Sequence, residues 1–281
     1  MKILYSNEAN FKDEFRALVD RSNIDMQSVM PIVNGIINDI KERGDAALNE
    51  QIAKFDKWEV NGNLAITTDE MKAAYDNLDD KLRNALKLAY ERIKAYHEKQ
   101  VEKSWIDFEP SGAILGQKVT PVDRAGLYIP GGKAAYPSSL IMNAVPAIVA
   151  GVKEIVVCTP AVGGEVNSLL LAAMHLLGIK TAYKVGGASA VAAMAYGTQT
   201  IKKVDVITGP GNIFVATAKK MVYGDVNIDM IAGPSEIGVI ADESANPTHI
   251  AIDLLSQAEH DEIASSFLIT FSAEFANKVN D

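Results

Sequence analysis

From about residue 113 the chain repeats one unit: a short apolar run, a glycine turn and a longer apolar segment of helical length. That alternation narrows the possible folds more than any other feature. Residues 125–129 read as a strand closed by Pro130-Gly131-Gly132, 138–150 as a buried helix and 154–158 as the next strand. A helix at 166–177, a strand at 181–185, a helix at 188–196, a strand at 204–208 and a helix at 213–222 continue the series. Strands alternating with helices of this length need right-handed crossovers, and the result is a parallel sheet covered on both faces. The expected class is therefore α/β and doubly wound. Two further strands, at 237–241 and 267–270, flank a helix at 247–258 and either extend that sheet or form a second one.

The first part of the chain is built differently. Residues 1–110 hold 16 Lys or Arg, 21 Asp or Glu and 3 of the 20 glycines, against 11, 15 and 17 in residues 111–281. Val29, Ile32, Val33, Ile36, Ile37 and Ile40 recur at helical spacing and stop at Gly44, a natural residue just past a helix end. Thr67 with Glu70 three residues on has the form of a capping box. A long helix at 79–103 follows, with Leu82, Leu86, Ala89, Ile93 and Tyr96 as one apolar stripe and His97 on its solvated side.

A net charge of −9 argues against nucleic acid or an anionic membrane as the main partner, because binding phosphates needs a basic face. The longest basic pieces, Lys202-Lys203 and Lys219-Lys220, read as ordinary surface. No apolar run is long enough to span a bilayer, and the first residues turn polar too soon for a signal peptide, so the expected location is the cytoplasm. Cys158, the single cysteine, reads as a small core residue of a buried strand.

Ligands of open parallel sheets collect at the carboxyl ends of the strands, where turns present backbone N–H groups and helix N-termini. Four glycine turns fall there: Pro130-Gly131-Gly132, Gly186-Gly187, Gly209-Pro210-Gly211-Asn212 and Gly233-Pro234-Ser235-Glu236. Asn212 and Ser235 either bind a ligand or cap the element that follows. A Gly-x-Gly-x-x-Gly, a P-loop and a Gly-x-Ser-x-Gly elbow are all missing, so the turns imply a small-molecule or nucleotide site of unspecified kind. Further on, Gln257 and His260 lie three apart on one helical face and either converge on a ligand or metal, or leave His260 to interact with the helix C-terminus. His175 reads as a packed or rim histidine, and His249 as part of the first turn of its helix.

At these turns the sequence resembles the histidinol dehydrogenase family. The motifs that carry the resemblance come in order. They are Arg124-Ala125-Gly126-Leu127-Tyr128-Ile129-Pro130-Gly131-Gly132, Tyr136-Pro137-Ser138-Ser139, Gly209-Pro210-Gly211-Asn212, Asp229-Met230-Ile231-Ala232-Gly233-Pro234-Ser235-Glu236 and Asp253-Leu254-Leu255-Ser256-Gln257-Ala258-Glu259-His260. The resemblance implies a zinc- and NAD-dependent oxidation of L-histidinol, through histidinal, to L-histidine. It implies Gln257 and His260 as zinc ligands that also touch substrate, Ser235 as a substrate contact, and Tyr128, Ser189 and Asn212 at the NAD-binding positions. It also implies a homodimer, and an incomplete Rossmann-like domain at 127–236 inserted in a second α/β domain made of 1–126 and 237–281.

Two departures from the family pattern carry consequences. Gly186-Gly187-Ala188-Ser189-Ala190 has Ser189 where the family has a glutamine reaching the dinucleotide, and a hydroxyl reaches less far. Family members also continue beyond the position of residue 281, and the continuation carries the Glu-His acid-base pair and the remaining zinc ligands. The expectation is that no catalytic residue lies in this chain and that the chain alone turns over little. The alternative is a non-catalytic binding or interaction protein that retains the fold.

Overall fold

The computed structural model describes residues 2–20, 26–61, 63–131, 136–231, 236–259 and 264–281. One helix, α1 (Phe11–Asp20), belongs to a compact unit formed by Met1–Asp25 and Ala232–Asp281, while Met26–Ile231 forms the other. The second unit opens with four helices, α2 (Met26–Arg43), α3 (Asp45–Phe55), α4 (Thr68–Asp76) and α5 (Asp80–His97). A hairpin, β1 (Trp105–Phe108) with β2 (Ile114–Gln117), comes next. The alternating part then runs β3 (Arg124–Tyr128), α6 (Pro137–Ala150), β4 (Glu154–Thr159), α7 (Ser168–Leu176), β5 (Thr181–Lys184), α8 (Gly187–Tyr196), β6 (Val206–Thr208), α9 (Ile213–Val222) and β7 (Asn227–Ile228). Elements β3 to α9 match the sequence pattern with ends moved by one or two residues, while β7 was not expected from it.

The five strands β5-β4-β3-β6-β7 form one parallel sheet in that order. The chain enters at the centre, winds outward through β4 and β5, then returns to lay β6 and β7 on the other side of β3. This is a doubly wound sheet whose winding reverses between β3 and β6. Because the sheet is covered on both faces, its strands alternate between two cores. Tyr128, Val156 and Cys158 face a cluster with α2, α3, α8 and α9, whereas Leu127, Ile129 and Val157 face one with α4 to α7. Cys158 is fully buried there.

The charged N-terminal helices thus complete the α/β unit, lying over both sheet faces. Val33, Ile37 and Ile40 of α2 enter the first cluster, and Met71 of α4 and Leu86 of α5 enter the second. The capping box closes α4, with the Thr67 hydroxyl accepting from the Glu70 N–H and the Glu70 carboxylate from the Thr67 N–H. Residues 64–66 bond antiparallel to the outer edge of β5, through the Ile66 N–H to Ala182 and the Lys184 N–H to Leu64. That pairing covers an edge that would otherwise present free N–H and C=O groups.

Three expectations need correction. The long helix ends at His97, with a single tighter turn at Glu98–Gln100. Its stripe is only partly used: Leu86 is buried, but Leu82 and Tyr96 are exposed because the α6 surface meets only the middle of the helix. Lys219 is buried, not on the surface, for reasons that belong to the site. Nothing in the pattern pointed to the hairpin, whose residues are exposed on both faces.

In the other unit β8 (Glu236–Ile240) and β9 (Ser265–Ile269) pair in parallel, connected through α10 (Pro247–Ala258), and α11 (Ala273–Asn280) ends the chain. The two late strands therefore form their own sheet and do not extend the first. Leu254, Phe275 and Val279 make its small core, with Leu268 packed against them. Among the described residues, no helix is long and apolar enough to cross a membrane.

The two faces of α2 make a direct test of this packing. Ile37 is 4% exposed and Ile32 54% exposed. Ile37→Ala should lower unfolding free energy by about 2–5 kcal/mol, and Ile32→Ala by under about 0.5 kcal/mol, measured by denaturant titration.

Candidate functional site

The strand order places a crevice at the carboxyl ends of β3 and β6, where connections leave toward opposite faces. Two glycine turns meet around it. Tyr128, the last residue of β3, is buried, and its hydroxyl accepts the Gly187 N–H at 3.2 Å from the turn between β5 and α8. Burial pushes the Tyr128 phenol up to about 12, the Gly187 N–H opposes that shift, and the nearby Asp56 charge adds to it. Asp56, at the end of α3, is also buried and accepts the Gly186 N–H, and burial holds its carboxyl above the usual range against that hydrogen bond. The Asp56 carbonyl takes the Gly163 N–H at 2.8 Å. Gly186 lies against Pro160, leaving no room for a side chain. Ser189 follows in the first turn of α8 and is buried.

The turn between β6 and α9 is held from two sides. Gly209 has φ +122°, and a Cβ there would collide with the Tyr128 carbonyl oxygen, so only glycine lets this turn lie over the end of β3. Asn212 caps α9, its side-chain oxygen accepting the N–H groups of Phe214 at 3.1 Å and Val215 at 3.2 Å. Its amide nitrogen is the part left to point at a ligand. Lys219, 3% exposed, donates to the Gly209 carbonyl at 2.9 Å and pairs with Asp229, which in turn accepts the Gly209 N–H at 2.9 Å.

Two hydroxyls at these strand ends have no partner. Thr159, at the end of β4 beside Gly131, and Thr208, at the end of β6, each bury an oxygen without a hydrogen bond. Buried polar atoms normally find partners, and these two flank the end of β3, so the crevice fits a polar ligand with groups near both. The geometry brings Tyr128, the Gly186-Gly187 turn and the Gly209–Asn212 turn together.

The C-terminal unit holds the other candidates. Gln257, in the last turn of α10, is half-buried, and its amide nitrogen is buried with no partner. Unspent hydrogen-bonding capacity of that kind fits a ligand position. Ser235 and His260, together with Gly132, Gly233 and Pro234, lie outside the described residues. Among the described residues no three His, Cys, Asp or Glu side chains gather as a metal shell, and Gln257 with His260 would be two donors where zinc takes four ligands. The other histidines have local explanations: His175 packs on Tyr75 with ring centres 5.1 Å apart, His97 meets Gln100 at 2.6 Å, and His249 is exposed in the first turn of α10.

Sequence reasoning missed Asp56, Lys219 and Asp229. For Lys219 a signal existed: Val215, Lys219 and Val222 fall at i, i+4 and i+7 on one face of α9, so the lysine shares the buried stripe. Asp229 opens one of the family motifs, but nothing local ties it to Gly209 twenty residues back, and nothing local marks Asp56, whose partner is the Gly186 N–H far along the chain.

A parallel sheet wound in two directions from a central strand, with glycine turns at its reversal point, defines a Rossmann-like α/β protein. The histidinol dehydrogenase family model matches residues 19–281. Proteins named histidinol dehydrogenase are 64% identical over 98% of this chain in Sulfurimonas denitrificans and 63% identical over 100% of it in Wolinella succinogenes. The crystal structure of histidinol dehydrogenase from Elizabethkingia anophelis superposes with a TM-score of 0.84 at 40% identity, covering 89% of this chain and 58% of that one. The chain belongs to the histidinol dehydrogenase family. It spans 64% and 65% of the length of the first two relatives.

Two consequences of the buried acids can be measured. Asp56→Asn keeps an acceptor for the Gly186 N–H without a buried charge and should leave stability at neutral pH unchanged or raised, whereas Asp56→Ala should lose about 1–3 kcal/mol. Tyr128 has a raised pKa in the folded protein, so its stabilising contribution is complete below pH 10 and lost as pH rises to about 12. Chemical denaturation across that window should show a slope of about 1.4 kcal/mol per pH unit from this group, absent in Tyr128→Phe.

Proposed function

We propose that this chain is the larger part of a histidinol dehydrogenase, an oxidoreductase of histidine biosynthesis that oxidises L-histidinol through histidinal to L-histidine with NAD and zinc. The observation that carries this reading is identity of 59–64% over nearly the whole chain to three proteins of that name. The paired glycine turns and unpartnered hydroxyls at the end of β3 support a dinucleotide there. When bound, NAD would supply the hydride acceptor, first for an alcohol and then for an aldehyde hydrate.

The residues of this chain would bind and orient. The Asn212 amide nitrogen faces out from the α9 cap, and the Tyr128 hydroxyl, which accepts from Gly187, still has its own proton to donate. Ser189 stands at the third cofactor position and reaches less far than the glutamine it replaces. Ser235, Gln257 and His260 would contact substrate, with Gln257 and His260 also offering two donors to zinc. When bound, zinc would hold the substrate's imidazole and amine, an orienting role. Two donors do not close its shell.

The proposed acid-base pair, the other zinc ligands and the homodimer contacts lie in the additional length of the relatives. In that whole protein 26–126 would stay with the sheet of 127–231, so that of the expected outer domain only the first residues and 237–281 would remain, and the enzyme would be cytoplasmic. NAD reduction with histidinol and zinc should be easily measured for the protein at its relatives' full length and be at least about 100-fold slower for this chain alone, since general acid-base groups contribute that much or more. A full-length protein that binds neither NAD nor histidinol in a calorimeter would instead favour the non-catalytic binding protein.

A further inference from the structure

We propose that the ion pair between buried Lys219 and the partly exposed Asp229 is the positioning device for the dinucleotide turn Gly209-Pro210-Gly211-Asn212, and this rests on the NAD reading above. The pair grips a single residue by both of its backbone groups. Lys219 Nζ takes the Gly209 carbonyl at 2.9 Å, and Asp229 Oδ2 takes the Gly209 N–H at 2.9 Å. Asp229 Oδ1 closes the arrangement by pairing with Lys219 and by accepting the Met230 N–H at 2.7 Å. Lys219 comes from the last turn of α9 and Asp229 from just after β7, so the turn is tied both to the helix it starts and to an outermost strand of the sheet.

Stability alone does not call for this arrangement. Desolvating a lysine is expensive, and a buried ion pair replaced by apolar side chains of similar size is often neutral or more stable. The other ion pairs of the described residues have more exposed cations. The Lys219 side chain is 4% exposed, against 31% for Arg124 in the Arg124–Glu154 pair, which sits at the opposite, amino-terminal end of the same strands. What the pair supplies is geometry. Gly209 lies over the Tyr128 carbonyl with no space for a Cβ, so a small shift of this turn moves Asn212 and the α9 N-terminus across the crevice where β3 and β6 diverge. The neutral pair also leaves the positive end of α9 uncancelled for an anionic ligand.

The test uses the protein at its full natural length with zinc. Calorimetric Kd for NAD, KM for NAD and for histidinol, and thermal midpoint are measured for wild type, Lys219→Met, Asp229→Asn, the double variant Lys219→Met with Asp229→Leu, and Glu154→Gln as a structural control. The double variant removes both charges together and guards against single variants that fail to fold. The expected result is a rise of about tenfold or more in Kd and KM for NAD in every folded Lys219 or Asp229 variant, with KM for histidinol within about twofold. Glu154→Gln should lower the midpoint and leave NAD binding within about twofold. The proposal is overturned if the folded double variant binds NAD like wild type, if Glu154→Gln weakens NAD binding equally, or if KM for histidinol rises in parallel. A wild-type protein that takes up no NAD overturns the cofactor reading and this proposal with it, and that failure is visible before any variant is compared.

Discussion

Everything in the larger unit follows from the burial of β3 on both faces and both edges. A parallel strand with neighbours on each side and no exposed face must be covered by helices above and below. Leu127 and Ile129 enter one core and Tyr128 the other. The crossovers α6 to α9 supply only part of that cover. The remainder comes from α2 to α5, which look from their charge like an independent domain and yet give Ile37, Ile40, Leu48, Met71 and Leu86 to the two cores. The high charge of this region belongs to the outer sides of those helices.

The same burial explains why the carboxyl end of the sheet carries unusual polar groups. Turns that cross the end of a buried sheet bring N–H and C=O groups away from water, and each must find a partner or be left for a ligand. Asp56, Tyr128, Lys219 and Asp229 take up the backbone groups of Gly186, Gly187 and Gly209. Thr159 and Thr208 are left without partners in the same place. A surface held this firmly on one side and unsatisfied on the other is suited to receiving a polar molecule without rearranging.

The C-terminal unit is simpler. Helices α10 and α11 pack on its two parallel strands around a core of Leu254, Phe275 and Val279, and apolar side chains such as Ile240, Ile269 and Phe271 stand exposed. Leu268 packs inward while Ile269 and Phe271 stand exposed, because strand alternation turns successive side chains to opposite faces. The Gln257 amide, half-buried with an unpartnered nitrogen, is the one described feature of this unit that points to a ligand.

The sequence by itself determined the alternation of strands and helices from β3 to α9, the parallel class and the places where glycine turns interrupt it, because periodicity and breakers act over a few residues. It also carried the family, since long ordered motifs survive without any knowledge of contacts. Only the tertiary structure decided that α2 to α5 complete the sheet's cover, that β8 and β9 form a separate sheet, and that residues 64–66 cover the edge of β5. It also decided that Lys219 is buried. A lysine on an otherwise apolar helix face is a conflict that sequence alone resolves toward solvent. Here an aspartate from beyond the next strand and a carbonyl ten residues back satisfy its charge. Such partners are set by where the chain returns in space, and local pattern has no access to that.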